Sequence, residues 1–194
     1  MKTYQFAYGS GTVEFPLEEK NIIGELHGNV VEPISDIRKE LWASLDAPID
    51  SAPLCRRVTP GSTVALVVSD MSRFWMRQDL VVPHLVDYLT QRCGVRERDI
   101  TIVIANGTHT GGDEAELRTL VTDAVYDRIT VENHDCESED LVYLGTTPHG
   151  TPVSINRTAA LADMVICLGA ATHHVMAGFG GGRKSILPGI SGRE

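Results

Sequence analysis

The chain has 194 residues, 42% of them hydrophobic and 22% charged, enough to bury a core without disulfide or metal staples. With 26 acidic against 17 basic residues the formal charge is −9, which argues against general binding to nucleic acid or to an anionic membrane. No apolar run approaches the roughly 18–20 residues that span a bilayer, no apolar leader follows Met1, and no CxxC pair occurs among Cys55, Cys93, Cys136 and Cys167. The expectation is a cytoplasmic protein with neither a disulfide framework nor structural zinc.

Residues 2–8 and 11–15 carry Tyr4, Phe6, Tyr8, Val13 and Phe15 around Gly9-Ser10 and read as a hairpin. A helix is predicted from Pro33, with Ile34, Ile37, Leu41 and Leu45 on one face. Pro48, Pro53, Pro60 and Gly61 mark residues 46–61 as a connection. Residues 63–68 are nearly all apolar, the pattern of a strand covered on both faces. A helix follows over 79–93, with Leu85, Val86 and Leu89 inward and Gly94 as its stop. Residues 100–105 read as a second buried strand, 112–124 as a helix, and 128–132 as a third strand. Residues 154–162 lead into a short helix, and 164–168 form a fourth buried strand. Buried strands alternating with helices predict an α/β fold: an open, mostly parallel sheet with helices on both faces, preceded by a short N-terminal β-hairpin.

Ligands of open α/β sheets sit beyond the C-terminal ends of the strands. Three polar clusters fall there: Ser69-Asp70-Met71-Ser72-Arg73, Asn106-Gly107-Thr108-His109, and Gly169-Ala170-Ala171-Thr172-His173-His174. In the first, the Arg73 guanidinium with Ser72 suits a carboxylate-bearing substrate, and an Asp70–Arg73 ion pair closing the strand is the competing reading. His109 and His174 each stand at a strand end among small residues, placed either for acid/base work or for capping a loop. His173 is a candidate to orient its neighbour or to meet a phosphate. His27, His84, His134 and His149 lack such context and read as surface or structural.

The densest signal is the stretch 172–189, where Gly178, Gly180, Gly181 and Gly182 precede Arg183 and Lys184. Backbone N–H groups of such a loop can cradle an anion, and a lysine amine is a nucleophile when desolvated. Gly178 and Lys184-Ser185 fit the P-loop spacing, but Arg183 occupies the place of its second glycine. The dinucleotide fingerprint fails at the same residue.

The run His173-His174-x-Met176-Ala177-Gly178-Phe179-Gly180-Gly181-Gly182-Arg183-Lys184-Ser185, with Pro188-Gly189, resembles the long motif of the nickel-dependent lactate racemase family. Asp70-x-Ser72-Arg73 and Gly107-Thr108-His109 are similar to two shorter motifs of that family, in the same order. The resemblance extends over essentially the whole chain as the family's N-terminal domain. It implies a nickel-pincer nucleotide (a pyridinium-3,5-bisthiocarboxylic acid mononucleotide carrying nickel) attached to Lys184. It further implies His109 and His174 as paired acid/base groups and Arg73 as the carboxylate clamp, with Ser72 beside it and Asp70 as an orienting acid. The cofactor would lie against Gly180, Gly181, Gly182, Arg183 and His173.

The implied reaction is racemisation or epimerisation of a small 2-hydroxy acid by hydride transfer, with cofactor-building enzymes as partners and neither nucleic acid nor membrane. The family's nickel-ligating histidine falls beyond Glu194, and so does its second domain. Residues 1–194 are therefore expected to be one racemase-type N-terminal domain, truncated at its C-terminal end and inactive alone. The alternatives are a phosphate- or nucleotide-binding module without redox chemistry, resting on the glycine loop, and a scaffold domain with a merely structural polar rim.

Overall fold

The structure, a computed structural model, describes residues 1–193. It divides into two compact units, residues 1–34 and the chain from Ser35 onward. In the first unit β1 (Lys2–Tyr8) and β2 (Gly11–Leu17) pair antiparallel, with Tyr4 opposite Phe15 and Phe6 opposite Val13. Side chains alternate across a strand, so these four share one face while Thr3, Gln5, Thr12 and Glu14 take the other. β2 runs past the predicted residue 15 through Pro16, which a two-stranded ribbon tolerates because each strand has a free edge.

The second unit opens with α1 (Ile37–Asp46). The predicted start at Pro33 is corrected by a cap: the Asp36 carboxylate accepts the Lys39 N–H at 2.9 Å, leaving Pro33 and Ile34 outside. Within the predicted connection, α2 (Leu54–Arg57) buries Leu54 and is followed by fully buried Val58. β3 (Val64–Ser69) leads into 3-10 turns over Met71–Met76 and Gln78–Leu80. α3 (Val82–Asp87) then continues as a π turn over Tyr88–Arg92. The predicted 79–93 helix thus starts late, because Pro83 fits only the first turn and Arg77 adopts a left-handed φ of 52°. Leu85, Val86 and Leu89 are buried as expected.

β4 (Ile100–Ala105) matches its prediction. The 112–124 helix resolves into α4 (Glu114–Val121) and α5 (Asp123–Tyr126), broken where Thr122 has φ 77°. β5 (Thr130–Asn133) follows, then β6 (Val142–Thr146) and β7 (Pro152–Ile155), an antiparallel pair with an irregular register between Tyr143 and Gly145. Sequence periodicity missed this pair: Tyr143 and Leu144 are adjacent and both exposed, so no alternation shows. α6 (Arg157–Leu161), β8 (Met164–Cys167), the two-residue strands β9 (His173–His174) and β10 (Gly178–Phe179), and α7 (Arg183–Ile186) complete the unit.

The central sheet has the order β5-β4-β3-β8, and each of its neighbouring pairs is parallel. Alternation divides the core. Leu66, Val68, Ile102 and Ile104 belong to a large cluster with Leu85, Leu89, Leu117 and Leu120, while Ala65, Val67 and Val103 meet Ile155, Ala159 and Ile190 on the other side. Each fully buried Leu or Ile side chain contributes about 1.5–3 kcal/mol. Helices therefore cover both faces of the sheet, as the alternating pattern predicted. The structure also bonds Cys55 to Cys93, 38 residues apart, against the expectation of no disulfide. The two come together only through the packing of α2 on the end of the α3–π segment, which spacing does not reveal.

Candidate active site

One cavity opens at the C-terminal ends of β3, β4 and β8, where the three polar clusters converge. Asp70, Ser72 and Arg73 reach it from the turn after β3, His109 from the loop after β4, His174 from β9, and Gly180, Gly181 and Lys184 from the glycine loop and α7. Gly182, Arg183 and His173 are not in its wall. His173 turns to the other side of β9 and stacks on Phe179, ring centroids 5.2 Å apart, since adjacent strand residues point to opposite faces. Trp75, largely exposed, also lines the cavity, whereas Phe74 packs into the core.

A polar chain runs along the first turn. His109 Nδ1 meets Asp70 Oδ2 at 2.5 Å. Ser72 Oγ donates to the other oxygen, Asp70 Oδ1, at 2.6 Å, and Arg73 Nη1 donates to Ser72 Oγ at 3.0 Å. Asp70 therefore pairs with His109 and reaches Arg73 only through Ser72, rather than closing the strand in a direct Asp70–Arg73 ion pair. In the same cavity the N–H groups of Met176 and Ala177 donate to His174 Nδ1 at 3.2 and 3.1 Å.

Gln78, Asn106 and His134 hold these groups in place. Gln78, buried beside β3, donates to Ser69 O at 2.8 Å and accepts from Ser69 N–H at 3.2 Å, which sets the strand end just before Asp70. Asn106 accepts the His109 N–H on its backbone oxygen at 2.9 Å, and its amide donates to Asn133 Oδ1 and His134 O at 3.0 and 3.1 Å. His134, read from sequence as surface or structural, is buried and its Nε2 meets Ser191 O at 3.0 Å. Burial pushes its pKa below the usual histidine value. The His134 and Gln78 contacts left no local signal, because each partner lies in a segment distant in sequence or in an irregular turn.

The loop that carries Lys184 is clamped by its own backbone. Gly180 N–H donates to Thr172 O at 2.7 Å, Gly189 N–H to Lys184 O at 3.0 Å, and Gly107 N–H to Gly189 O at 2.9 Å. At Gly181, with φ 69°, a Cβ would lie 2.8 Å from Ala170 O, so bare backbone forms this wall. A P-loop joins strand to helix directly; here the β9–β10 hairpin intervenes and α7 has only four residues.

Comparison with known proteins bears on this arrangement. The lactate racemase N-terminal domain family matches residues 8–194. The lactate racemase of Thermoanaerobacterium thermosaccharolyticum is 28% identical over 194 residues, and that of Lactiplantibacillus plantarum is 27% identical. Each match covers 98% of this chain and 45% of the relative, so the chain spans less than half the length of the curated relatives it matches. The solved structure of the T. thermosaccharolyticum lactate racemase apoprotein superposes with a TM-score of 0.84 at 27% identity, covering 98% of this chain and 44% of that one. With 187 of its residues matched, from 8 to 194, this chain belongs to the lactate racemase N-terminal domain family.

Proposed function

We propose that this chain is the N-terminal, acid/base-bearing part of a longer racemase or epimerase of small 2-hydroxy acids. One observation carries the reading: two imidazoles, a guanidinium and a lysine amine, from four separate segments, line a single cavity at the strand ends. It is supported by family membership and by relatives named lactate racemase.

The residues present fit a nickel-pincer nucleotide. Lys184 offers the amine for its attachment, in the same cavity wall as Arg73, His109 and His174. Among the described residues no group of three or more His, Cys, Asp or Glu is placed to hold a metal ion, so nickel would be held chiefly by the nucleotide's own donors and by protein outside these residues. The chemistry such a group supplies when bound is reversible acceptance of hydride from the carbon that bears the hydroxyl.

The chain's own residues do the rest. Arg73 spends Nη1 on Ser72 O and Oγ and keeps the N–H groups of Nε and Nη2, enough to take a carboxylate in two-point fashion. His109 removes the hydroxyl proton, and Asp70 holds the ring through the charge that develops. His174 serves the opposite face. Arg183, His173 and Gly182, outside the cavity wall, would be contacts for the nucleotide's phosphate. Working in the cytoplasm with the enzymes that build the cofactor, the full-length protein would be active and residues 1–194 alone inactive.

Intact-mass analysis tests the reading on full-length protein made beside those enzymes. An adduct is expected on Lys184, lost in Lys184→Ala and kept in His109→Ala and His174→Ala, both of which lose turnover. Racemisation by protein whose lysine stays unmodified would overturn it.

A further inference from the structure

The two imidazoles of the cavity are held by opposite kinds of partner. Asp70 Oδ2 lies 2.5 Å from His109 Nδ1. An ionised carboxylate only accepts, so His109 carries its hydrogen on Nδ1 and keeps a lone pair on Nε2. His174 Nδ1 is approached instead by two donors, the N–H groups of Met176 and Ala177. A backbone N–H only donates, so here Nδ1 holds the lone pair and the neutral ring bears its hydrogen on Nε2.

We propose that the chain rests with its two imidazoles in opposite tautomers, His109 Nε2 as proton acceptor and His174 Nε2–H as hydrogen-bond donor, the second state being set by the 174–177 turn. This deepens the racemase reading and rests on it for its consequence in turnover. His174 gains a lone pair on Nε2 only when its hydrogen moves to Nδ1, where it faces two N–H groups. The turn must release Met176 and Ala177 before His174 accepts a proton.

The turn is built for such a release. Its strands pair through only two positions each, Gly178 with His174 and Phe179 with His173. The side chains at its tip, Val175 and Met176, are 101% and 88% exposed, so no core packing holds them. An acid whose hydroxyl lies against His109 gives up its proton to the resting site. Its mirror image, presenting the hydroxyl to His174, waits for the turn to open. The proton taken at His109 Nε2 makes that ring imidazolium and leaves again from it. Neutral His174 offers only a hydrogen bond from Nε2–H and can yield that proton only once Nδ1 has been protonated, which again requires the turn to release Met176 and Ala177.

Long-range 1H–15N correlation spectra of the 194-residue chain read the tautomers directly, at a pH where both rings are neutral. His109→Gln and His174→Gln identify the signals. The expected pattern is an unprotonated Nδ1 with a protonated Nε2 in His174, and the reverse in His109. A protonated Nδ1 in His174, or the same mixture in both rings, would overturn the proposal. Asp70→Asn should let the tautomers of His109 mix while His174 stays as it was. Ala177→Pro, which removes one donor, should shift only His174. If that variant does not fold, the wild-type spectrum still decides. The readout needs no turnover, so a missing Lys184 adduct defeats the racemase reading without touching the tautomers.

Discussion

Replacing Gly189 with alanine tests whether backbone contact holds the turn that carries Lys184. A Cβ on Gly189 falls 2.2 Å from Ser185 O, 2.6 Å from Ser185 C and 2.8 Å from Ser185 Cα. Ordinary contact begins near 3.4 Å, so a methyl group enters only if α7 and the 187–190 segment part by about 1 Å. That movement strains two hydrogen bonds, Gly189 N–H to Lys184 O and Gly107 N–H to Gly189 O. Each is worth about 1 kcal/mol net, and overpacking adds about 1–3 kcal/mol. The expected loss is about 3–5 kcal/mol, or roughly 6–20 °C in Tm for a chain of this size. Gly178→Ala is the control: its φ is 76° but nothing lies within 4 Å of the new Cβ, so only backbone strain of about 1–2 kcal/mol applies. Urea unfolding at unchanged m measures both. A Gly189→Ala protein no less stable than Gly178→Ala would refute the claim that this close approach positions Lys184.

Two further predictions concern buried polar groups. The folded-state pKa of His134 is depressed by burial, so its contribution is fully present above the unfolded value of about 6.5 and is lost as pH falls below it. Urea midpoints compared at neutral and mildly acidic pH should drop less in His134→Gln, which keeps a donor for Ser191 O without titrating; equal drops would contradict the assignment. Tyr88→Phe removes the hydroxyl that donates to Asp46 Oδ1 at 2.6 Å while keeping the ring against Trp42. Arg92 still pairs with the other Asp46 oxygen, so a cost of about 1–2 kcal/mol is expected in the same unfolding assay. Desolvation, with the Asp46 bond, raises the Tyr88 pKa to about 12 against an ordinary value of 10.0. Wild-type stability should therefore fall as pH rises through this interval, and Tyr88→Phe should lack that fall; an identical alkaline profile would count against the buried bond.

The sheet was legible because burial on both faces writes itself into composition. Residues 63–68 and 100–105 admit almost no polar side chain, and β3 and β4 lie within one residue of those bounds. Helix ends were less legible, since one cap at Asp36 and one proline at position 83 outweigh several residues of apolar periodicity. The β6–β7 hairpin escaped notice because its strands are largely exposed and carry no strict alternation.

Residue types and their order along the chain supplied the candidates: an arginine, two histidines and a lysine, each beside small residues after a buried run or within the glycine-rich loop that follows. Their convergence on one cavity belongs to the parallel pairing β8-β3-β4, which brings positions from Asp70 to Lys184 to the same edge. The packed structure put His174 in the cavity wall and His173 against Phe179. It alone showed that Asp70 belongs to His109, and that Gln78, Asn106 and His134 hold the turns. The physical reason is range. Burial and backbone preference act over a few neighbouring residues and can be read locally, whereas a hydrogen bond between residues 70 and 109, or 134 and 191, exists only once the sheet has brought them together.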